Sequence, residues 1–408
     1  MKKTNELKGK IELVINGVKY IGVVDLQAER TAKQSEYPVW GVRIDRKNRD
    51  PEAAVEYIGA AEGYTPASGA KAGSWADNPI FAKIKPCLMK NGKVATYLNP
   101  DNYKQAADGS SVEALRGYFD TMIEFGKMFY RISQDERYTY VEVAESEKSL
   151  ADGFTDRAFS YKGKVRDRFY IGAYLGYKDD EGALRSISGH IPTGDLTIGQ
   201  FREAAHRNGD GYELLAFNKL VLLQALYLIR YKSLDSRSAL GMGWTEADDY
   251  AASGDSDALG LYYGEDNGES RVKCHGLEDF YGNKLQWIDG FITTNKIAVS
   301  DGYFNDTGDG YETAAALPKS VYGVILDVHG DNVLGFTPKK ADDDEEVGSG
   351  YYCNYGSTWT DDNGCLPIFG GYRSFGADAG AFFLFCFYSA SGAASFIGAR
   401  LAFYGAED

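Results

Sequence analysis

Residues that mark metal sites, disulfide scaffolds and membrane spans are scarce in this sequence. Of 408 residues, four are histidine and five are cysteine, and no two cysteines stand in a Cys-x-x-Cys pair. This spacing predicts no metal site and no disulfide framework, although pairing of Cys353 with Cys365 stays open. The longest apolar run, residues 220–229, contains Gln224 and has about half the length of a membrane span. We therefore expect no insertion into a membrane.

Basic charge is also in deficit. Lys and Arg number 44 against 59 for Asp and Glu, which gives a formal net charge of −15 at pH 7. The basic residues are scattered and form no stripe, so nucleic acid is not an expected partner. The N-terminal lysines are followed by no apolar run of the kind found in a signal peptide, so we expect synthesis in the cytoplasm.

Motifs for nucleophilic catalysis and nucleotide binding are missing as well. The sequence has no Gly-x-Ser-x-Gly elbow, no phosphate-binding Gly-x-x-x-x-Gly-Lys-Ser/Thr loop and no Gly-x-Gly-x-x-Gly after a strand. In the adjacent pair Cys274-His275, we expect one side chain to face the core and the other to face out. The segment 305–310 has oxygen ligands suited to calcium but lacks the length and terminal Glu of a calcium loop. No catalytic residue and no cofactor are predicted, with calcium kept as an alternative.

Glycine and aromatic residues are abundant instead. The chain has 48 Gly, 30 Tyr and 21 Phe, a composition typical of short strands, tight turns and rigid aromatic packing. We divide it into three regions. Residues 1–35 contain a hairpin pattern around Asn16-Gly17 and form an attachment or oligomerisation arm. Residues 36–165 form a β-rich module with one helix, and residues 166–408 form a ligand-binding domain.

Three helices are predicted. In the β-rich module, apolar residues recur at helical spacing at Val112, Leu115, Phe119, Met122 and Phe129. In the third region, a Thr197 and Gln200 capping box begins a helix that ends at Asn208-Gly209, and residues 214–234 form a helix that is apolar nearly all round. Short strands and loops follow. Two helices before a long irregular antiparallel β region predict the α+β class.

The segment 370–404 differs from the rest of the chain. Ten of its residues are Phe or Tyr, and Ala, Gly and Ser fill most other positions. A strand here would send Phe383, Phe385 and Phe387 to one face and the residues between them to the other. Both faces could be core, as in a central strand. The composition is also that of a paratope, and we favour a recognition surface.

Two motifs in this part of the chain resemble a known family. The first comprises Gly370-Gly371, Gly376-Ala-x-Ala-Gly-x-Phe382, Ser389-Ala-Ser and Ile397-Gly-x-Arg400-Leu. It resembles the variable region of proteins diversified by retroelements, which have a C-type lectin fold of the formylglycine-generating-enzyme-like branch. The second, from Gly276 to Trp287, resembles the Gly-Leu-x-Asp-x-x-Gly-Asn-x-x-x-Trp motif of that branch. The remaining sequence is similar to tail-fibre or receptor-binding proteins of phages and prophages.

The resemblance implies which residues contact a ligand. Mutagenesis at template adenines in this family cannot produce Lys, Glu, Gln, Met or Trp at recoded asparagine codons whose third base stays a pyrimidine, and all five are absent from residues 371–396. Arg373 stands where the family often has Trp. The implied ligand-binding residues are Tyr372, Arg373, Ser374, Phe375, Asp378, Phe385, Phe387, Tyr388, Gly392, Ala394 and Phe396. The implied scaffold residues are Gly376, Ala379, Gly380, Phe382, Leu384, Ile397, Gly398 and Leu401.

The family also implies a function. The chain would be a tail-tip adhesin of a phage or prophage particle, a homotrimer that binds other tail proteins and a host cell-surface receptor, either protein or glycan. It would not be an enzyme. Two alternatives stay open: a cell-envelope glycan hydrolase or formylglycine-generating-type oxidase on the same scaffold, and a structural tail component without a receptor.

Overall fold

The computed structural model describes residues 8–15, 18–25, 36–345 and 352–405. Contacts divide the chain into two units, Met1–Pro38 and Val39–Asp408. In the first unit, strand Lys8–Ile15 pairs antiparallel with strand Val18–Asp25, as the predicted hairpin requires. The turn at Asn16-Gly17 and most of the predicted arm lie outside the described residues, so the arm's attachment role stays a prediction.

Three larger sheets form the second unit. Sheet A has four strands in the spatial order Val55–Gly59, Val39–Asp45, Tyr138–Ala144 and Phe129–Gln134. Sheet B has seven, in the order Tyr212–Leu214, Leu401–Phe403, Arg168–Gly172, Asp120–Gly126, Ile84–Lys90, Lys93–Asn99 and Asn102–Ala106. Sheet C has seven, in the order Pro338–Asp342, Val321–Val328, Tyr355–Thr358, Leu384–Tyr388, Leu366–Phe369, Leu285–Trp287 and Ile397–Gly398.

Smaller sheets complete the strand set. A three-stranded sheet contains Phe291–Thr293, Lys296–Val299 and Glu312–Ala316. Three two-stranded ribbons pair Ser160–Tyr161 with Lys164–Val165, Tyr177–Lys178 with Leu184–Arg185, and Lys273–Cys274 with Leu277–Glu278. Most pairs are antiparallel, and together with the helices they agree with the predicted α+β class.

The α-helices are α1 (Glu113–Arg116), α2 (Ile198–His206), α3 (Phe217–Tyr231) and α4 (Ser236–Ala239). Short 3-10 helices span Gly73–Trp75, Phe81–Lys83, Glu147–Asp152, Arg157–Phe159 and Gly376–Asp378. The capping box of α2 is confirmed, with Thr197 Oγ1 3.2 Å from the Gln200 N–H that donates to it. Helix α3 is buried on all sides, as its apolar sequence predicted, and packs against sheet A.

The helix predicted from Val112 to Phe129 is wrong. Only the four residues of α1 are helical, and Gly117 caps them. Strands Asp120–Gly126 and Phe129–Gln134 follow. Six of the seven residues of Asp120–Gly126 are buried, because this strand lies inside sheet B. A strand buried on both faces shows no alternation, and its apolar residues therefore also fit a helical spacing.

The two predicted regions on either side of residue 165 share one sheet. In sheet B, Asp120–Gly126 pairs with Arg168–Gly172, which in turn pairs with Leu401–Phe403. One apolar core cluster extends from Trp40 in sheet A to Tyr404 near the C-terminus, and a second extends from Cys87 in sheet B to Phe403. The assignment of residues 166–408 as a C-type lectin-like domain stays a prediction.

Candidate ligand-binding surface

Strand Leu384–Tyr388 lies inside sheet C, antiparallel to Leu366–Phe369 and parallel to Tyr355–Thr358. On one face Leu384 and Cys386 are buried. On the other face exposure rises along the strand, from 2 % at Phe383, which precedes it, to 49 % at Phe387. The strand therefore has one core face and one accessible face, unlike a central strand buried on both sides.

All eleven predicted ligand-binding residues are accessible. Ser374 and Phe387 are exposed, and the other nine are half-buried: Tyr372, Arg373, Phe375, Asp378, Phe385, Tyr388, Gly392, Ala394 and Phe396. Of the predicted scaffold residues, Gly376 is half-buried and the rest are buried: Ala379, Gly380, Phe382, Leu384, Ile397, Gly398 and Leu401. The division into accessible and buried positions thus follows the division that the resemblance implies, while contact with a ligand stays a prediction.

The accessible rings touch one another. The Tyr372 ring lies 5.1 Å from that of Phe396 and 4.4 Å from that of Phe375, between ring centroids. Farther along, the Phe385 and Phe387 rings are 5.8 Å apart. Phe383 joins the two groups, because its ring contacts both Phe375 and Phe385. We call this surface the aromatic patch and define it by Tyr372, Phe375, Phe385, Phe387, Tyr388 and Phe396.

Three aromatic residues outside the predicted set extend the patch. The Tyr322 ring lies 6.1 Å from that of Phe385, and the Trp359 ring lies 5.4 Å from that of Phe387. Tyr355 adjoins Tyr322 at 5.0 Å. The sequence gives one local signal for them, the aromatic-rich segment 352–359. Their place beside the patch depends on pairing between strands distant in the sequence.

The motif from Gly276 to Trp287 supports the patch from beneath. The Asn283 side-chain amide donates to Asp279 at 2.8 Å, and Asp279 accepts from Arg271 at 2.6 Å. The backbone carbonyl of Asn283 then accepts from the N–H of Arg373 at 3.2 Å, which holds the loop that carries the first ligand-binding residues. Trp287 is fully buried and packs its ring edge-on against Tyr388.

Two glycines, Gly371 of the first motif and the predicted scaffold residue Gly380, explain the close packing under the loop. At Gly380, a side-chain Cβ would lie 2.3 Å from the Asn354 side-chain amide, so only glycine fits. Gly371 has a φ of +83°, and a Cβ there would lie 2.5 Å from that of Ala379. Both positions require glycine for a packing or backbone reason. They fix the loop between the strands that bear the patch.

Arg373 is held more firmly than its neighbours. Its guanidinium donates to the Ala247 carbonyl at 2.9 Å and lies 5.0 Å from the centre of the Tyr250 ring. The ammonium of Lys284 lies 3.4 Å from the centre of the same ring and donates to the Ser395 carbonyl. Burial lowers the pKa of Lys284 to about 8. Arg373 thus anchors its loop as well as reaching the surface.

The Cys274-His275 pair has no accessible member, so the expectation of one inward and one outward side chain is wrong. Both residues are fully buried, because His275 follows its strand in the left-handed region with φ +54°. Its Nε2–H donates to the Leu223 carbonyl at 3.0 Å, so Nδ1 accepts from the Tyr262 hydroxyl at 3.1 Å. Burial lowers the pKa of His275 to about 3 and raises the pKa of the Cys274 thiol. Neither group is set up for acid–base or nucleophilic chemistry.

The calcium-like segment uses its oxygens internally. Asn305 Oδ1 accepts from the backbone N–H groups of Thr307, Gly308 and Asp309, at distances from 2.7 to 3.1 Å. The Asp306 carboxylate accepts from Arg202 at 2.9 Å. Within the residues that the structure describes, no cluster of three or more His, Cys, Asp or Glu side chains could hold a metal ion. In the same part of the chain, no helix is long and apolar enough to cross a membrane.

Solved structures of Major Tropism Determinant are similar to this chain over most of its length. For the U1, M1 and P3c variants the TM-scores are 0.28, 0.30 and 0.28, with sequence identities of 11 %, 10 % and 10 %. Each alignment covers 98 % of this chain and 82 % of the other. Scores of this size lie below those that define a shared fold. No protein-family model matches the chain, and no curated protein matches it in sequence.

Proposed function

We infer that this protein binds a partner through the aromatic patch and acts as the tail-tip adhesin of a phage or prophage particle. The observation that carries the inference is the separation of residues 370–404 into accessible and buried positions. The eleven positions implied to contact a ligand are all accessible and six of them carry aromatic rings, whereas buried small or apolar residues occupy nearly all the positions implied to be scaffold. Such a surface tolerates changes at contact positions without loss of the fold.

The physical chemistry of the patch suits recognition. Phe and Tyr offer large contact areas with few rotatable bonds, so little conformational entropy is lost on binding. Ring-to-ring contacts such as Tyr372 on Phe396 hold the side chains in place before the partner arrives. Small neighbours such as Ser389, Ser391 and Ser395 leave the rings accessible. We expect modest affinity at each site.

Multivalency would convert modest affinity into stable attachment. In the proposed particle the protein is a homotrimer held by its N-terminal part and joined to other tail proteins. Several linked copies raise the effective concentration of the second and third sites, so total affinity exceeds that of one site by orders of magnitude. The protein would reside in the virion.

The cysteines favour binding over the formylglycine-generating-type oxidase. All five are buried, and such an oxidase needs reactive thiols. Burial raises the pKa of Cys365 to about 11 and raises the pKa of Cys386 well above its ordinary value. These two thiols therefore stay protonated at neutral pH. Assays for copper-dependent thiol oxidation and for release of sugar from envelope material would expose either enzymatic alternative by turnover.

Binding to whole cells tests the proposed function. The fluorescently labelled full chain is incubated with a panel of bacterial strains and bound fluorescence is measured against concentration. We expect saturable binding to a subset of strains, because an adhesin distinguishes hosts. If the chain binds none of the strains saturably, even when it is presented as an oligomer on beads, the proposal is contradicted.

The neighbouring DNA tests the diversification separately. We expect a near-copy of the segment encoding residues 371–396 beside a reverse-transcriptase gene, with asparagine codons at the variable positions. Those positions are Tyr372, Ser374, Phe375, Asp378, Phe385, Phe387, Tyr388, Gly392, Ala394 and Phe396. If the genome contains no such repeat, the diversification is wrong and the protein would be an adhesin of fixed sequence.

A further inference from the structure

We propose that one end of the patch receives a cationic side chain, lysine or arginine, from a basic segment of a protein partner. This end, the aromatic corner, is formed by Tyr322, Tyr355, Trp359 and Phe387. The inference rests on the proposed function, because it names the chemistry of the partner that the same surface binds. Three of the four residues lie outside the variable region, so the corner would be a constant part of the site.

The rings of the corner stand nearly at right angles to one another. Tyr322 and Tyr355 meet at 82°, Tyr322 and Trp359 at 73°, and Trp359 and Phe387 at 78°. Tyr322 is 39 % exposed and Phe387 is 49 % exposed. Perpendicular rings present their faces in different directions. The negative face of an aromatic ring attracts a cation within about 6 Å of its centre.

A carboxylate adjoins the rings. The Tyr355 hydroxyl donates a hydrogen bond to the Asp343 carboxylate, and Asp343 is exposed. The backbone of Asp342 and Asp343 presses against Gly323, next to Tyr322, so closely that a Cβ at Gly323 would lie within 2.5 Å of it. Burial and the Asp343 hydrogen bond raise the pKa of Tyr355, so this hydroxyl stays protonated and continues to donate. The Asp343 carboxylate therefore lies at the hydroxyl end of the Tyr355 ring.

The surrounding charge has the same sign. Asp344 is exposed next to Asp343, and Asp361 and Asp362 are exposed two and three residues after Trp359. The Ser320 hydroxyl contacts Thr360, which brings this second pair near the strand that carries Tyr322. Lys319 is the exposed basic residue close to this group in sequence. Arg49 pairs with Glu345 at 2.9 Å, so Lys319 is set against four exposed acids in the local charge balance.

The strands Val321–Val328 and Pro338–Asp342 pair with each other, and the basic Lys340 lies opposite Asp327, toward the end away from Tyr322. Asp342 lies opposite Val324, which is two residues from Tyr322. The five residue steps from Tyr322 to Asp327 span roughly 17 Å of strand. Lys340 is therefore far from the Tyr322 ring, and it precedes Asp343 by three residues, roughly 10 Å of extended chain.

Charge complementarity selects the partner. A phosphate-rich or uronic-acid-rich polymer would be repelled by these carboxylates and by the net charge of −15. A neutral glycan would gain stacking on the rings but nothing from the charge. A lysine or arginine side chain gains from both, since its apolar stem packs on the rings and its charged end meets Asp343.

Peptide binding to the full chain tests the inference. The probes are a lysine-rich decapeptide, the same peptide with every lysine acetylated, a glutamate-rich decapeptide and a neutral oligosaccharide. Trp359 lies in the corner, so quenching of tryptophan fluorescence reports binding. We expect the lysine peptide to bind at least about tenfold more tightly than its acetylated copy, and its affinity to fall as salt rises. The glutamate peptide should not bind.

Two variants locate the effect. Asp343→Asn and Tyr322→Ser should each weaken the lysine peptide about fivefold, because each removes one attractive group. Asp309→Asn and Tyr303→Ser are matched controls at exposed positions elsewhere and should leave it unchanged. Circular dichroism checks that every variant is folded.

Several outcomes would overturn the inference. They are equal binding of the lysine peptide and its acetylated copy, tighter binding of the oligosaccharide, no binding of any probe, and full binding by Asp343→Asn. Cell binding separates this failure from failure of the proposed function. If changes in the aromatic patch abolish cell binding and Asp343→Asn does not, the adhesin stands and the cationic partner is wrong. If neither changes cell binding, the adhesin site itself is wrong.

Discussion

His275 shows how one buried residue makes the fold sensitive to acid. Its pKa is about 3 in the folded protein against an ordinary value of 6.5, because burial disfavours the charged ring. Between these values the unfolded chain binds a proton that the folded chain does not. Stability from this residue is therefore complete above pH 6.5 and is lost as the pH falls toward 3, by about 1.4 kcal/mol per pH unit.

A comparison of two variants tests this. His275→Asn keeps a residue that tolerates positive φ but removes the titrating ring. We expect the variant to be less stable at neutral pH, and its further loss between pH 7 and 4.5 to be smaller than that of the parent by roughly 2–3 kcal/mol. Urea unfolding at both pH values measures it. The exposed His190→Asn serves as control, and an unchanged pH dependence in His275→Asn would be inconsistent with a neutral buried ring.

Arg400 is a second residue whose role is structural. Its fully buried guanidinium donates to the carbonyls of Gly172, Ala173, Glu278 and Asp279 and to the Gln286 side chain, at 2.8 to 3.1 Å. It thereby ties sheet B to sheet C beneath the patch. Arg400→Met would remove five buried hydrogen bonds, although the Ala173 and Asp279 carbonyls keep other donors, and we expect a loss of roughly 3–5 kcal/mol in unfolding free energy. Arg137→Met, at a largely exposed ion pair with Asp45, should lower the unfolding free energy far less. Similar losses of unfolding free energy for both variants would refute this structural role of Arg400.

The central strand of the site combines a buried core face with an accessible outer face. Along strand Leu384–Tyr388, Leu384 is buried and Phe387 is half exposed. We expect Leu384→Ala to lower the unfolding free energy by roughly 2–4 kcal/mol, because it leaves a cavity. Phe387→Ala should lower it by about 1 kcal/mol or less. Equal costs in denaturant unfolding would indicate a strand buried on both faces.

The capping box at the start of helix α2 should contribute to stability by itself. Thr197 and Gln200 satisfy one another's backbone donors at its first turn. Thr197→Ala should cost about 1 kcal/mol, and Thr197→Ser should restore most of it. Thermal unfolding monitored by circular dichroism measures both. A cost-free Thr197→Ala would mean that packing, and not the cap, fixes the start of the helix.

What the sequence could predict depends on the range of the determining contacts. The capping box of α2 and the apolar length of α3 act within a few residues, and both helices were predictable. The segment from Val112 to Phe129 was mistaken for a helix because burial inside sheet B erases the alternation of its strands. Tyr322 and Trp359 were missed because they meet the patch through strand pairs whose members are far apart in sequence.

At the scale of the molecule, the predicted modules are not separated by a sheet boundary. Arg168–Gly172 links the strands before residue 165 to Leu401–Phe403 near the C-terminus. Most rings of the aromatic patch pack against a second apolar cluster, which extends from Cys87 in sheet B to Phe403. Leu384 and Cys386, on the other face of the same strand, belong to the cluster that begins at Trp40. With a core on both sides of the strand, we expect changes at the accessible positions of the patch to leave the fold intact.

Cell binding by a patch variant tests the central claim most directly. The full chain with Tyr372, Phe385, Phe387 and Phe396 changed to Ser is compared with a control in which Tyr118, Val165, Leu259 and Tyr303, exposed elsewhere, are changed to Ser. Both must show the circular dichroism spectrum of the parent. On a strain that the parent binds, we predict that the patch variant loses at least about 90 % of bound fluorescence and that the control retains it. Unchanged binding by the folded patch variant would contradict the account.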